Sequence, residues 1–163
     1  MNKKMCRKLF AGLVMAPALM GLALAQDKSG DLAIVVNPGC TLENVSSKDL
    51  VKIFKAENNK LPDGTKIVIA VRETGSPERN AALKSIYQMT DAEYEKFFLQ
   101  ATFAGTVQTA PKALVSGSAV RRFVGSEKGG ISYVCASEAD ATVKVLKVDG
   151  KSPGEPDYPI KMK

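Results

Sequence analysis

The chain has 163 residues, 45% of them hydrophobic and 25% charged, with a formal net charge of +6. That length accommodates one domain and excludes two large lobes, while the composition excludes both a disordered chain and a multi-span membrane protein. With no His and no Trp, Ser-His-Asp and Cys-His catalysis and every histidine-based metal site are excluded as well.

The charge is unevenly placed. Lys3, Lys4, Arg7 and Lys8 precede an apolar run, Leu9 to Ala25, that is interrupted by Gly12, Pro17 and Gly21 and closes on Ala23-Leu24-Ala25. A basic start, an apolar middle and a small-residue A-x-A end form the pattern of a secretory signal, so residues 1–25 are expected to be removed and 26–163 to fold as one domain. An uncleaved anchor is the alternative, since 17 residues nearly span a bilayer; the interior proline and the A-x-A site favour cleavage. Cys6 lies before the apolar run, so no lipoprotein box is formed. Removing 25 of the 163 residues leaves 138, and removing four basic groups from +6 leaves +2, which takes away the case for nucleic-acid binding. The expected location is periplasmic or secreted, with a mature chain that does not span a membrane.

Leu32-Ala33-Ile34-Val35-Val36 is a continuous apolar run ending at Asn37-Pro38-Gly39, as in a strand buried on both faces. Ser47 opens a helix to about Lys55, with Leu50, Val51, Ile53 and Phe54 on one arc and lysines and Asp49 on the other. Leu61-Pro62-Asp63-Gly64 is a turn, and Lys66 to Val71 a second buried strand. Ser76-Pro77 starts a helix that runs on through Leu83, Ile86 and Tyr87. Thr90-Asp91-Ala92-Glu93 is a capping box for a third helix ending at Phe103-Ala104-Gly105, with Tyr94, Phe97, Phe98 and Ala101 inward. A fourth helix follows Val115-Ser116-Gly117-Ser118, then a strand Ile131 to Val134. Val143 to Val148 alternates like a half-exposed strand, and the proline-bearing tail Lys151 to Lys163 is loop with at most an edge strand.

This order of elements predicts an α/β layer structure with a mainly parallel sheet flanked by helices, in which ligands sit beyond the carboxyl ends of strands. Arg72 ends one such strand, and Thr74-Gly75-Ser76 supplies hydroxyls and backbone N–H groups at the next helix start. An arginine fork beside the positive end of a helix suits an anion. The structural alternative is that Ser76 only caps, while Arg72 pairs with Glu73 or Asp91. Asn37, Thr41, Ser116 and Ser118 are further polar candidates to support the site. Cys40 and Cys135, the two cysteines of the mature chain, both follow predicted strands. If those strands are parallel neighbours the thiols meet in a disulfide; the alternative is two buried thiols.

Five features in order, Ser47-x-x-Leu50-x-x-Ile53-Phe54, Leu61-Pro62-Asp63-Gly64-x-x-Ile67, Arg72-x-x-Gly75-Ser76, Gly130-Ile131-x-Tyr133-Val134 and Asp157-Tyr158-Pro159, resemble the phosphate ABC transporter substrate-binding proteins, particularly their short, exported PBP-like relatives. The resemblance implies a periplasmic-binding-protein type 2 fold, reduced in size, with Arg72 gripping an oxyanion and Gly75 and Ser76 donating to it. It implies no enzyme activity, no metal and no cofactor, and an ABC importer permease as partner. Two departures stand out. Pro77-Glu78 follow Ser76 where the family has a Gly-Thr pair, which places a carboxylate near the site, and the mature chain cannot complete the family's first lobe. An envelope interaction module that kept the fold and lost the ligand is the second reading. A hydrolase is disfavoured, since no motif pairs an acid with a base. Intact-mass analysis of the protein from an envelope fraction should show a chain beginning at Gln26; retention of residues 1–25 refutes export with cleavage.

Overall fold

The computed structural model describes residues 30–162; the expected signal segment lies outside them. The elements in order are β1 (Leu32–Val36), β2 (Asn44–Val45), α1 (Ser47–Phe54), β3 (Val68–Arg72), α2 (Pro77–Ala82) running into a π-helical turn at Leu83–Tyr87, α3 (Asp91–Phe103), β4 (Lys112–Leu114), α4 (Gly117–Ser126), β5 (Gly130–Cys135), a 3-10 turn at Ala136–Glu138, β6 (Lys144–Val145) and β7 (Lys147–Val148). Five strands form the main sheet in the order β4-β3-β5-β1-β6, and β2 pairs with β7 apart from it. β3 is parallel to β4 and to β5, whereas β1 is antiparallel to both β5 and β6. β4, β3, β5 and β6 therefore share one direction and β1 opposes them, so the mainly parallel sheet is present with one reversed strand.

Each residue of β1 is at most 1% exposed, as its unbroken apolar run requires. Leu32, Ile34 and Val36 pack into the larger core with Leu50, Phe54, Ile69, Val71, Ile86, Tyr87, Tyr94, Phe98 and Tyr133. Ala33 and Val35 face the other way, onto Val120 and Val124 of α4 and Val134 of β5. Helices α1 to α3 thus cover one face of the sheet and α4 the other. The helices start on side-chain caps: Ser46 for α1, Ser76 for α2, the reciprocal Thr90–Glu93 box for α3 and Ser116 for α4. In the π-helical turn Leu83, Ile86 and Tyr87 are all buried, as residues at i, i+3 and i+4 of one helical face.

Two expectations are corrected. The alternating stretch 143–148 is not one strand. Lys144–Val145 pairs with β1 and Leu146 N donates to Ile34 O at 2.9 Å, but further along β1 the N–H of Leu32 donates to Ile160 O at 3.0 Å. The tail has taken that edge, so the chain turns away at Leu146 and Lys147–Val148 joins β2 instead. The tail itself behaves as expected, meeting strands through isolated bridges, Asp31 to Lys161 beside β1 and Val148 to Lys151 at β7. β2 and β4 were not expected at all. They are two and three residues long, too short to show a period.

The second correction concerns the cysteines. Because β1 and β5 are antiparallel, Cys135 lies opposite Leu32 at the start of β1, while Cys40 follows the end of that strand and is buried. The two residues lie toward opposite ends of the strand pair and form no disulfide, the expectation having rested on parallel neighbours. Peptide mapping of the unreduced protein should therefore find no peptide pair linked through Cys40 and Cys135; recovery of that linked pair would contradict this topology.

Candidate functional site

The parallel trio β4-β3-β5 brings three strand ends and two helix starts to one side of the sheet. β3 pairs with β5 by backbone only at Val68 and Ile69, after which side chains of β5 take over. The Ser132 hydroxyl donates to Ala70 O at 2.8 Å, and the N–H of Arg72 donates to the Tyr133 hydroxyl at 3.3 Å. Burial pushes the Tyr133 phenol well above its ordinary pKa, so it serves as a neutral acceptor. On its other side β3 stays in register with β4 up to Arg72 opposite Leu114, and Nη1 of Arg72 donates to Leu114 O at 3.3 Å.

Arg72 thus lies between the β3–α2 turn and the β4–α4 turn, its side chain 11% exposed. Its Nε stands 3.6 Å from Oε2 of Glu78, an ion pair beyond hydrogen-bond reach. Both atoms are buried and have no hydrogen-bond partner. The carboxylate that Glu78 was expected to bring near the site is therefore there, and Arg72 pairs with it rather than with Glu73 or Asp91.

Thr74 and Gly75 are exposed, and Gly75 has φ +86°, a conformation that disfavours any residue with a Cβ. The Ser76 hydroxyl is engaged twice, donating to Glu73 O at 2.9 Å and accepting from Arg79 N at 3.2 Å. Ser116 accepts from Ala119 N at 3.1 Å, and its hydroxyl lies 2.9 Å from that of Ser118. These two serines share the side of the sheet that holds Arg72. Asn37 and Thr41 do not. The reversal of β1 carries them to the other end, where Asn37 Nδ2 donates to Val124 O at 3.0 Å and Gly125 O at 2.9 Å, fastening the end of α4.

Two residues that the sequence reading left out complete this side. Arg79, 4% exposed, holds Oδ1 of Asp91 through Nη2 at 2.8 Å and Nε at 3.0 Å, with its guanidinium 3.9 Å from the Tyr94 ring centre. A charged residue on the same helical arc as Leu83 and Ile86 was the available signal. Burial alone would raise the Asp91 carboxyl, but its bonds to Arg79 and Thr74 outweigh this and hold it below the ordinary range. Glu138, on the 3-10 turn just past β5, rests its carboxylate against the first residue of α4, where a Cβ at Gly117 would collide with Glu138 Oε2. Glycine at 117 is what admits it.

A hollow of about 370 Å³ lies at the opposite end of β3, beside Ile67, Val68, Val107 and Phe123. Its Lys66 is hydrogen-bonded to Gln108 at 3.0 Å, and neither arginine of the site reaches it. Among the described residues no group of three or more acidic or cysteine side chains could hold a metal ion, and no helix is long and apolar enough to cross a membrane.

Solved structures share this architecture. An ABC-type phosphate transport receptor from Vibrio cholerae superposes with a TM-score of 0.61 at 18% identity, covering 76% of this chain and 48% of that one. A Clostridium perfringens protein, described as a phosphate ABC transporter substrate-binding protein and solved with bound phosphate, gives 0.63 at 16% identity over 76% and 47%. PstS from Borrelia burgdorferi gives 0.60 at 17% over 81% and 54%. The fold is that of the phosphate-binding proteins. The chain spans about half the length of these three neighbours. No protein-family model matches the sequence, and no curated protein resembles it significantly.

Asp91→Ala removes the carboxylate partner of a buried arginine and should destabilise the protein by about 1.5 to 3 kcal/mol, measured by urea unfolding at neutral pH. The sign with pH follows from the lowered carboxyl. Its stabilisation is complete above the ordinary carboxylate range and is lost as pH falls through and below it, so the difference between wild type and variant should shrink in acid.

Proposed function

We propose that this is an exported, non-enzymatic binding protein of the periplasmic-binding type that takes a small oxyanion, phosphate first, at the carboxyl ends of β3 and β4. The observation that carries this reading is the convergence of Arg72 with the capped starts of α2 and α4. Both helix starts carry backbone donors and a positive dipole end, and a guanidinium between them matches the paired oxygens of an oxyanion. Arg72, Thr74, Gly75 and Ser76 form one wall, Ser116 and Ser118 the other. Binding of this kind needs fixed donors and no cofactor. The phosphate-binding neighbours support the reading through the fold alone, and two of them are described as parts of ABC transport systems; an importer permease is accordingly the proposed partner. The basic and apolar segment at 1–25 supports a periplasmic or secreted location.

A second reading rests on a specific observation. Arg72 already faces Glu78, Asp91 already engages Thr74, and Glu138 already rests on Gly117. A site in which three of the chain's own carboxylates already lie against Arg72, Thr74 and Gly117 also describes an envelope interaction module that no longer takes a ligand.

Calorimetric titration of inorganic phosphate separates the two. Under the binding reading, Arg72→Ala should weaken affinity by about one to two powers of ten, the cost of a hydrogen bond to a charged group. Ser76→Gly, which nearly preserves the cap, should leave stability within a few tenths of a kcal/mol. Absence of phosphate binding by wild type at millimolar concentration favours the interaction module.

A further inference from the structure

We propose that Glu138 is a tethered competitor for the oxyanion and sets the affinity of the site described above, on whose binding reading this inference rests. Its carboxylate lies against Gly117, the first residue of α4, and offers a helix start what an oxyanion offers: one negative charge and two acceptor oxygens. The placement depends on two local features. The 3-10 turn Ala136–Glu138 carries the side chain beyond the end of β5, the strand next to β3. Gly117 has no Cβ, and any other residue there would collide with Glu138 Oε2.

The second, independent observation is the state of Arg72. Its Nε is buried without a hydrogen-bond partner, and so is Oε2 of Glu78, the carboxylate nearest to it. A buried guanidinium donor left unbonded is costly, so the resting arrangement leaves recognition capacity unused. An acceptor brought in from outside can take it up.

Glu138 is otherwise an exposed residue that no core cluster includes, so swinging its side chain outward costs little packing. The oxyanion and the Glu138 carboxylate exclude each other by volume and by like charge. The apparent affinity is therefore the intrinsic affinity reduced by the share of molecules in which Glu138 is in place.

The test titrates inorganic phosphate into wild type, Glu138→Gln and a control, Glu95→Gln, which neutralises an exposed carboxylate on α3. Glu138→Gln should bind phosphate about two- to fivefold tighter, the worth of an exposed carboxylate at a helix start, and Glu95→Gln should match wild type. A Glu138→Gln affinity equal to that of a phosphate-binding wild type overturns the proposal, as does an equal gain from Glu95→Gln, which would make the effect one of net charge. A crystal structure with phosphate should show the Glu138 side chain withdrawn from Gly117; a carboxylate still in place beside bound phosphate overturns it independently. If neither wild type nor Glu138→Gln binds phosphate, the binding reading fails and takes this inference with it.

Discussion

A strand with no exposed residue must satisfy every one of its N–H and C=O groups inside the protein. β1 is such a strand, and the assembly around it follows from meeting that demand on both edges. On one edge β5 pairs with it over its full length, from Leu32–Cys135 to Val36–Ile131. On the other, three separate pieces are required: β6 at Val35 and Val36, Leu146 at Ile34, and the tail residue Ile160 at Leu32. The Tyr158 hydroxyl adds a bond to Leu32 O at 2.8 Å. The residues that supply this second edge lie more than a hundred positions along the chain from β1, so the last segment closes the sheet rather than trailing from it.

The reversal of β1 also decides which groups can meet. It carries Asn37 and Thr41 away from Arg72 and separates Cys40 from Cys135, while leaving β4, β3 and β5 to deliver their carboxyl ends together. The anion-binding candidates divide along the same line: those on the parallel trio converge and those after β1 do not. Charge follows a related pattern. The basic groups on the converging side are met by Glu78 and Asp91, both from helices that begin there, so the resting protein is electrostatically balanced at the place where its helix dipoles concentrate.

Much of this was legible in the chain. The caps Ser76, Thr90 and Ser116 and the apolar runs of β1 and β3 are local signals, and the elements they mark are present within a residue or two. Strand direction is not local. Nothing in Leu32–Val36 distinguishes a parallel from an antiparallel neighbour, because a strand buried on both faces reads as unbroken apolar sequence either way. The disulfide expectation failed for that reason. Arg79 was overlooked because a charged residue in a first helical turn reads as solvated, whereas here it lies across Tyr94 and against Asp91. Glu138 carried no sequence signal, since its role depends on the missing Cβ of a glycine twenty-one positions earlier.

The main sheet is bounded by very short strands. β4, at one margin, has three residues and follows Pro111, which lacks an N–H; β6, at the other, has two and begins with Lys144. Brevity, proline and lysine are the means by which sheet proteins deter unwanted strand addition. At these two margins the main sheet of the described residues therefore offers little template on which another chain could extend it, and association there falls to side chains. Recognition, whether of an ion or of another protein, has to be read from loops and helix starts.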